Sequence, residues 1–298
     1  MTSTDIGTEI GTGISTGIST GIGAGIGTGI GAGIGAGICA GIDAYARTVR
    51  GSGPGLLVAH GAGGSVETNY GPVMETLAAG HTVVGVDYPG TGATPRSRPP
   101  LQLDELVDQL VAAADAEGLD RFAVSGYSLG GAVAIRTAVR HPERVTALLL
   151  TAAFARTDHE LRLGAELWRG LALAGDPDPL ARFVVPHALS EHALRSLDDE
   201  QLAALLKDVG AGIPPGTADH VDLVTRVDVR ADLPRITAPT LVVTTTGDRL
   251  VPPPLHRELA AAIPGARLAE IPTGHLPFAE LPQEWGKLLT GFLRETGA

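Results

Sequence analysis

The stretch Phe122-Ala123-Val124-Ser125-Gly126-Tyr127-Ser128-Leu129-Gly130 decides how this chain is interpreted. Its first four residues are apolar or small, as in a central buried strand, and residues 132–140 are typical of a helix that ends before Pro142. The pentapeptide 126–130 is therefore a tight turn between a strand and a helix. We expect side chains at its glycine positions to collide with neighbouring elements, and Ser128 to stand at the carboxyl edge of a sheet.

A serine in such a turn is a candidate nucleophile. A serine hydroxyl is nearly inert at neutral pH, so it needs a fixed position and a base beside it. The chain has 41 glycines, and Gly-x-Ser-x-Gly alone could arise by chance as a plain turn. The preceding strand and the following helix, whose positive end faces developing negative charge, favour the catalytic interpretation. We predict Ser128 to be a nucleophile.

The remaining pattern predicts an α/β fold. Apolar, β-compatible runs predict strands at residues 56–59, 82–86, 122–125, 145–150, 239–244 and 267–271. Helical spacing or composition predicts helices at residues 103–114, 132–140, 254–263 and 282–295. Because strands alternate with helices, we expect a mostly parallel central sheet flanked by helices.

Composition divides the chain into three parts. We assign residues 44–155 and 234–298 to the α/β core. Residues 156–233 are dominated by Leu, Ala and charged residues and contain no strong strand pattern, so we predict a helical insertion there.

Residues 1–43 form an unusual repeat. Isoleucine recurs every four residues from Ile6 to Ile42, and every glycine from Gly7 to Gly41 occupies an odd position. We predict a disordered low-complexity tail without catalytic duty. A self-associating or partner-binding strand is one alternative, and a membrane span is another, which the glycine and hydroxyl content disfavours.

Several motifs of the chain resemble the α/β-hydrolase superfamily. In chain order they are His60-Gly61 after a strand, Asp87-x-Pro-Gly-x-Gly after the next strand, the 126–130 turn, the segment 239–248, and Gly274-His275. The resemblance covers about residues 45–298. The segment 228–240 is similar to its counterpart in small bacterial esterases, enol-lactone hydrolases and cofactor-free haloperoxidases. Within that superfamily, a helical insertion at this place forms a cap over the active site.

The resemblance implies a triad of Ser128, Asp248 and His275. His275 would take the serine proton, and Asp248 would orient the imidazole. Asp248 could instead cap the turn before Pro252. Of the nine histidines, His60 is interpreted as a structural loop residue, and most of the others lie in or beside the insertion or precede a proline.

The resemblance also assigns the oxyanion hole to backbone amides of Ala62 and Leu129, with the Ala62 assignment depending on a flexible glycine-rich loop. Other side chains could line a substrate pocket or pack in the core. They are Tyr127, Trp168, Leu171, Leu173, Phe183, Val184, Val185 and Phe278.

The expected function is a serine hydrolase that cleaves a small or medium carboxylic ester or lactone through an acyl-enzyme. Because the nucleophile is serine rather than aspartate, the resemblance disfavours epoxide hydrolases and haloalkane dehalogenases. Thioester release, carbon-carbon cleavage, a lyase or cyclase step, and a non-catalytic ligand-binding module stay open as alternatives.

Composition also limits partners and cofactors. Twenty-two Lys and Arg against 33 Asp and Glu give a net charge of −11, so we expect no nucleic-acid partner. The one cysteine, Cys39, excludes an internal disulfide. No phosphate loop, dinucleotide fingerprint or metal-ligand cluster is present, so we expect neither cofactor nor metal. We expect a cytoplasmic enzyme without membrane contact that acts on a small-molecule acyl substrate, and the oligomeric state stays open.

Overall fold

The structure, a computed structural model, describes residues 45–298. The tail predicted at residues 1–43 lies outside the described residues. Among residues 45–298, no helix is long and apolar enough to cross a bilayer.

A seven-stranded sheet forms the centre of the described chain. Its strands are β1 (Arg47–Arg50), β2 (Gly55–Ala59), β3 (Thr82–Val86), β4 (Phe122–Tyr127), β5 (Val145–Thr151), β6 (Thr240–Thr245) and β7 (Arg267–Ile271). They lie in the order β1-β3-β2-β4-β5-β6-β7. Only β1 pairs antiparallel with its neighbour β3, and the other pairs are parallel. The predicted fold class is confirmed, and β1 is a strand that the sequence pattern did not reveal.

Helices cover both faces of this sheet. They are α1 (Val66–Ala78), α2 (Leu103–Ala116), α3 (Leu129–Arg140), α4 (His159–Ala174), α5 (Pro177–Ala188), α6 (Glu191–Arg195), α7 (Asp199–Ala211), α8 (Thr217–Arg226), α9 (Pro253–Ala262), α10 (Pro277–Glu280) and α11 (Pro282–Thr296). Helix α1 was not predicted, because Pro72 inside it is untypical of a helix interior. It is started by a capping box, in which Ser65 and Thr68 each accept a hydrogen bond from the other's backbone amide.

The core consists of two apolar layers, one on each face of the sheet. Strands β2, β4 and β6 are buried along their whole length, as expected for parallel strands covered on both faces. One layer packs α2, α3 and α9 against the sheet, and the other packs α1 and α11. Each fully buried leucine or valine contributes about 1.5–3 kcal/mol relative to an exposed one.

Helices α4–α8 lie between β5 and β6, in the segment where the sequence predicts a helical insertion. The two ends of this segment run side by side. Arg156 and Asp228 form an isolated antiparallel bridge, and the Val229 amide donates to the Ala155 carbonyl at 2.8 Å. The insertion therefore leaves and re-enters the core at one place.

Three glycines allow α3 to approach the sheet closely. A Cβ atom on Gly130 would lie 2.0 Å from the Ala59 carbonyl oxygen, and one on Gly126 would lie 2.3 Å from the Gly130 carbonyl oxygen. A Cβ on Gly131 would lie 2.4 Å from the Cβ of Ala153. These distances are far below van der Waals contact, so the collisions expected from the sequence are present in the structure.

We expect Gly130→Ala to lower the free energy of unfolding by about 3 kcal/mol, the upper end of the usual range for overpacking, because the overlap is with backbone that no rotamer change relieves. Gly291→Ala in α11 is the matched control, since a Cβ there meets nothing within 4 Å. It should change stability by no more than about 1 kcal/mol, towards stabilisation. Urea unfolding followed by circular dichroism measures both, and equal midpoints for the two variants would contradict the packing argument.

Candidate active site

Ser128 occupies the turn between β4 and α3. Its backbone has φ 54° and ψ −120°, a conformation that non-glycine residues rarely adopt. The Ser128 amide donates to the Thr151 carbonyl at 3.0 Å, and the residue is 6% exposed. The strained turn therefore holds one serine at the carboxyl edge of the sheet, as the pentapeptide predicts.

The His275 ring lies between Ser128 and Asp248. Its Nε2 is 3.0 Å from Ser128 Oγ, and its Nδ1 is 2.7 Å from Asp248 Oδ2. Because a carboxylate only accepts hydrogen bonds, Nδ1 carries the proton and Nε2 turns its lone pair to the serine hydroxyl. The structure thus brings the three residues of the predicted triad into one hydrogen-bonded row.

Asp248 is buried and surrounded by donors. Thr245 Oγ1 donates to Oδ2 at 2.9 Å, and the amides of Leu250 and Val251 donate to Oδ1 at 2.9 and 2.8 Å. Together with His275, these donors satisfy both carboxylate oxygens and hold the side chain in one orientation. The same carboxylate also caps the loop before α9, which is the turn role considered as the alternative for Asp248.

His60 connects two loops through hydrogen bonds of its ring. Its Nε2 accepts from the Tyr88 amide at 2.9 Å, so its Nδ1 carries the proton and donates to the Gly61 carbonyl at 2.9 Å. Burial lowers the pKa of His60 to about 4 and keeps the ring neutral. This geometry agrees with its interpretation as a structural loop residue.

His256, a buried histidine near Asp248, is a residue that the sequence did not single out. Its Nε2 lies 3.9 Å from Asp248 Oδ2, too far for a hydrogen bond. Neither ring nitrogen has a hydrogen-bond partner among residues 45–298. Burial lowers the pKa of His256 to about 4.

Two backbone amides near Ser128 are available as donors. Gly61 lies so close that a Cβ on it would be 3.2 Å from Ser128 Cβ, which brings the 61–64 loop alongside the serine. Leu129 is the first residue of α3, at the positive end of the helix. Within residues 45–298, neither the Ala62 nor the Leu129 amide donates to a protein acceptor. These are the two donors that the family resemblance implies for an oxyanion hole.

Other residues that shape this site were missed by sequence reasoning. Glu280 Oε1 accepts from the amides of Gly274 and Ser190, at 2.9 and 3.1 Å. Burial raises the pKa of Glu280. The His275 amide donates to the Ala188 carbonyl at 2.7 Å, so the histidine loop is bonded to the end of α5. No local motif predicts this role for Glu280. Ser190 is distant in sequence, and both partners bind through backbone amides, which every residue type except proline carries.

Two cavities meet at Ser128. The larger has a volume of about 500 Å³ and includes Ser128, Ala62 and His275 in its lining. The smaller has a volume of about 330 Å³, includes Ser128 and Ala62, and extends under α4. His275 is not part of the smaller cavity's lining. A substrate carbonyl at Ser128 would thus have one side in each cavity.

The pocket residues suggested by the sequence divide between these cavities and the core. Trp168 lines both cavities, and Phe183 lines the smaller one. Tyr127, Val184 and Phe278 line the larger one. Val185 is buried in a core cluster, and Leu171 and Leu173 line a cavity whose lining does not include Ser128. No group of three or more residues that could hold a metal ion occurs in the described part of the chain.

The chain belongs to the α/β-hydrolase fold family, whose model matches residues 54–282. This confirms the resemblance seen in the sequence.

Individual relatives agree with this assignment. The chain is 35% identical over 247 residues to pyrrolizixenacetamide deacetylase of Xenorhabdus hominickii, a match that covers 82% of this chain and 92% of that protein. It is 30% identical to a pimeloyl-(acyl-carrier protein) methyl ester esterase of Neisseria meningitidis serogroup B, over 80% of this chain and 92% of that protein. The enol-lactonase of Burkholderia xenovorans LB400 shares the fold, with a TM-score of 0.73 and 23% identity over 84% of this chain and 96% of that chain.

Buried neutral histidines predict a loss of stability in acid. His60, His220 and His256 have pKa values lowered to about 4 by burial, whereas an unfolded histidine titrates near 6.5. The unfolded chain therefore takes up protons first as the pH falls from about 6.5 to 4, and the folded state loses stability over that range. We expect His256→Leu to weaken this decline.

The measurement is the thermal midpoint at pH 7 and pH 4.5. The decrease in the midpoint from pH 7 to pH 4.5 should be smaller in His256→Leu than in the wild type. In His192→Leu, which alters an exposed histidine, the decrease should equal that of the wild type. An identical drop in His256→Leu and the wild type would show that His256 does not stay neutral in the folded protein.

Proposed function

We propose that this protein is a serine hydrolase that cleaves a small or medium carboxylic ester or lactone through an acyl-enzyme on Ser128. The observation that carries the proposal is the row of Ser128, His275 and Asp248, with distances of 3.0 and 2.7 Å between their bonded atoms. The Ala62 and Leu129 amides, which have no acceptor among residues 45–298, lie beside this row. The relative named as a methyl ester esterase supports ester chemistry in this family.

In the proposed reaction, Ser128 Oγ attacks the substrate carbonyl carbon while its proton passes to His275 Nε2. The carbonyl oxygen becomes an oxyanion that accepts hydrogen bonds from the amides of Ala62 and Leu129. Loss of one such donor in comparable sites costs about 3–4 kcal/mol of transition-state stabilisation. His275 then donates its proton to the departing alcohol. Water repeats the sequence on the acyl-enzyme, which releases the acid and restores Ser128.

Asp248 acts through His275 in this scheme. Its hydrogen bond to Nδ1 keeps the proton on that nitrogen, so that Nε2 is always the one that accepts from Ser128. The negative charge also stabilises the imidazolium that forms after proton transfer. Thr245, Leu250 and Val251 hold the carboxylate in place while the charge on His275 changes.

The two cavities suggest how an ester lies in the site. The leaving alcohol takes its proton from His275, so it departs on the side of the cavity that His275 lines, which is the larger one. The acyl group then occupies the smaller cavity under α4. Because helices of the insertion contribute to both linings, we propose that the insertion serves as a cap that selects the substrate.

Amide deacylation is a second candidate for the same machinery. The observation that favours it is the 35% identity to a pyrrolizixenacetamide deacetylase, whose name denotes an acetyl group bound to nitrogen. Parallel assays with 4-nitrophenyl acetate and 4-nitroacetanilide separate the two, because the acyl group is the same and only the leaving group differs.

We expect the wild-type protein to hydrolyse 4-nitrophenyl butyrate, and Ser128→Ala to lower kcat by about 10⁴-fold or more. Asp248→Asn should lower kcat by about 10³–10⁴-fold, because the His275 tautomer is no longer fixed. Ser97→Ala, which changes a serine away from the triad, is the matched control. Steady-state kinetics measure all four proteins. A Ser128→Ala variant with wild-type turnover would rule out the proposed nucleophile.

Cavity-filling variants test the placement of the ester. Gly164 lines the smaller cavity and a Cβ on it meets nothing within 4 Å, so Gly164→Leu should shorten the acyl chain that is accepted. Val184 lines only the larger of these two cavities, so Val184→Phe should shorten the alcohol chain that is accepted. Ester series that vary one side at a time give the kcat/KM profiles. If the two variants exchange their effects, the acyl and alcohol sides are reversed.

A further inference from the structure

His220 joins the insertion to two loops of the core. It lies on α8 and is fully buried. Its Nδ1 is 3.2 Å from the Gly63 amide nitrogen, and its Nε2 is 2.9 Å from the Pro89 carbonyl oxygen. An amide only donates and a carbonyl only accepts, so Nδ1 is the acceptor and Nε2 carries the proton. A neutral imidazole in one tautomer satisfies both loops.

Other contacts of α8 reinforce this connection. The Gly216 amide donates to the Gly90 carbonyl at 2.9 Å, and a Cβ on Gly90 would lie 2.5 Å from Gly216 Cα. Arg96 forms two hydrogen bonds with Asp219, at 2.6 and 2.9 Å. The amino-terminal part of α8 is therefore packed directly on the loop that follows β3, with His220 reaching across to the 61–64 loop.

The 61–64 loop needs such support because it is rich in glycine. Gly61, Gly63 and Gly64 flank Ala62, and Gly63 has φ +67°, so the backbone has many alternative conformations. Asn69 Oδ1 accepts from the Gly61 amide at 2.9 Å, on the amino-terminal side of Ala62. His220 accepts from the Gly63 amide, on its carboxyl-terminal side. Ala62 therefore lies between Gly61, whose amide is hydrogen-bonded to the core, and Gly63, whose amide is hydrogen-bonded to the insertion.

We propose that His220 is a positioning residue for the oxyanion hole, which directs the Ala62 amide at the substrate only while α8 is packed against the core. This inference rests on the proposed function and goes beyond it, because it makes transition-state stabilisation depend on the position of the insertion. Among residues 45–298, His220 is absent from the linings of both cavities that contain Ser128. It acts through the loop and does not touch the substrate.

The direct test compares His220→Ala, His220→Gln and the wild type on 4-nitrophenyl butyrate. Loss of the ring should lower kcat by about 10–100-fold with KM within about threefold, because a misdirected oxyanion donor weakens the transition state and spares substrate binding. Glutamine has both a donor and an acceptor and should restore part of kcat. His192→Ala, an exposed histidine of the insertion, should match the wild type.

A second measurement separates positioning from general damage. A trifluoromethyl ketone forms a tetrahedral oxyanion with the serine, so its Ki should rise in His220→Ala by about the same factor as kcat/KM falls. The Kd of a non-reactive ester analogue should stay within about threefold.

Three results would overturn the proposal: an unchanged kcat in folded His220→Ala, a loss carried by KM alone, or an unchanged Ki for the ketone. If His220→Ala does not fold, His220→Met fills the space without hydrogen bonds and takes its place. Failure of both to fold would show that His220 has only a structural role. A wild-type protein without Ser128-dependent turnover would instead contradict the proposed function.

Discussion

The close approach of α3 to the sheet is the constraint on which the site depends. Gly130 lies against the Ala59 carbonyl and Gly126 against Gly130, with no room for a Cβ at either position. This packing forces the turn between β4 and α3 into the strained conformation of Ser128, and the surrounding core maintains it. In the same turn, Ser128 is the N-cap residue of α3 and Leu129 is the first residue of that helix. The positions of the proposed nucleophile and of one proposed oxyanion donor therefore both follow from the close packing of α3 on the sheet.

The other parts of the site depend on the helical insertion. The His275 loop is bonded to the end of α5 through the Ala188 carbonyl, and Glu280 joins Gly274 to Ser190 in the same region. The 61–64 loop is bonded to α8 through His220. The loops of the proposed base and of the second proposed oxyanion donor are thus both hydrogen-bonded to the insertion, which lines the cavities. In the proposed mechanism, a substrate that fits the insertion also stabilises the arrangement that acts on it.

Sequence reasoning reached the features that have local chemical signatures. The glycines around Ser128 predict a tight turn. Asp248 and His275 each follow an apolar run that predicts a strand, and these strands end at the same edge of the sheet. Helix α1 was missed because Pro72 interrupts its pattern, and β1 because its four residues, Arg47–Arg50, carry two charged ends. The roles of Asn69, His220 and Glu280 could not be predicted, since they arise from contacts between segments that are separated in sequence. For each apolar candidate the sequence left open whether the side chain lines the pocket or packs in the core, because apolar spacing does not separate Val185, which is in the core, from Val184, which lines a cavity.

The central claim is that Ser128 is the activated nucleophile of this protein. A fluorophosphonate reacts with a serine only when a neighbouring base and an oxyanion site activate the hydroxyl. Mass spectrometry of the labelled, proteolysed protein should find a single adduct on Ser128 in the folded wild type, and no adduct in Ser128→Ala or in protein unfolded before labelling. No adduct in folded wild type, or an adduct on another residue, would contradict the account.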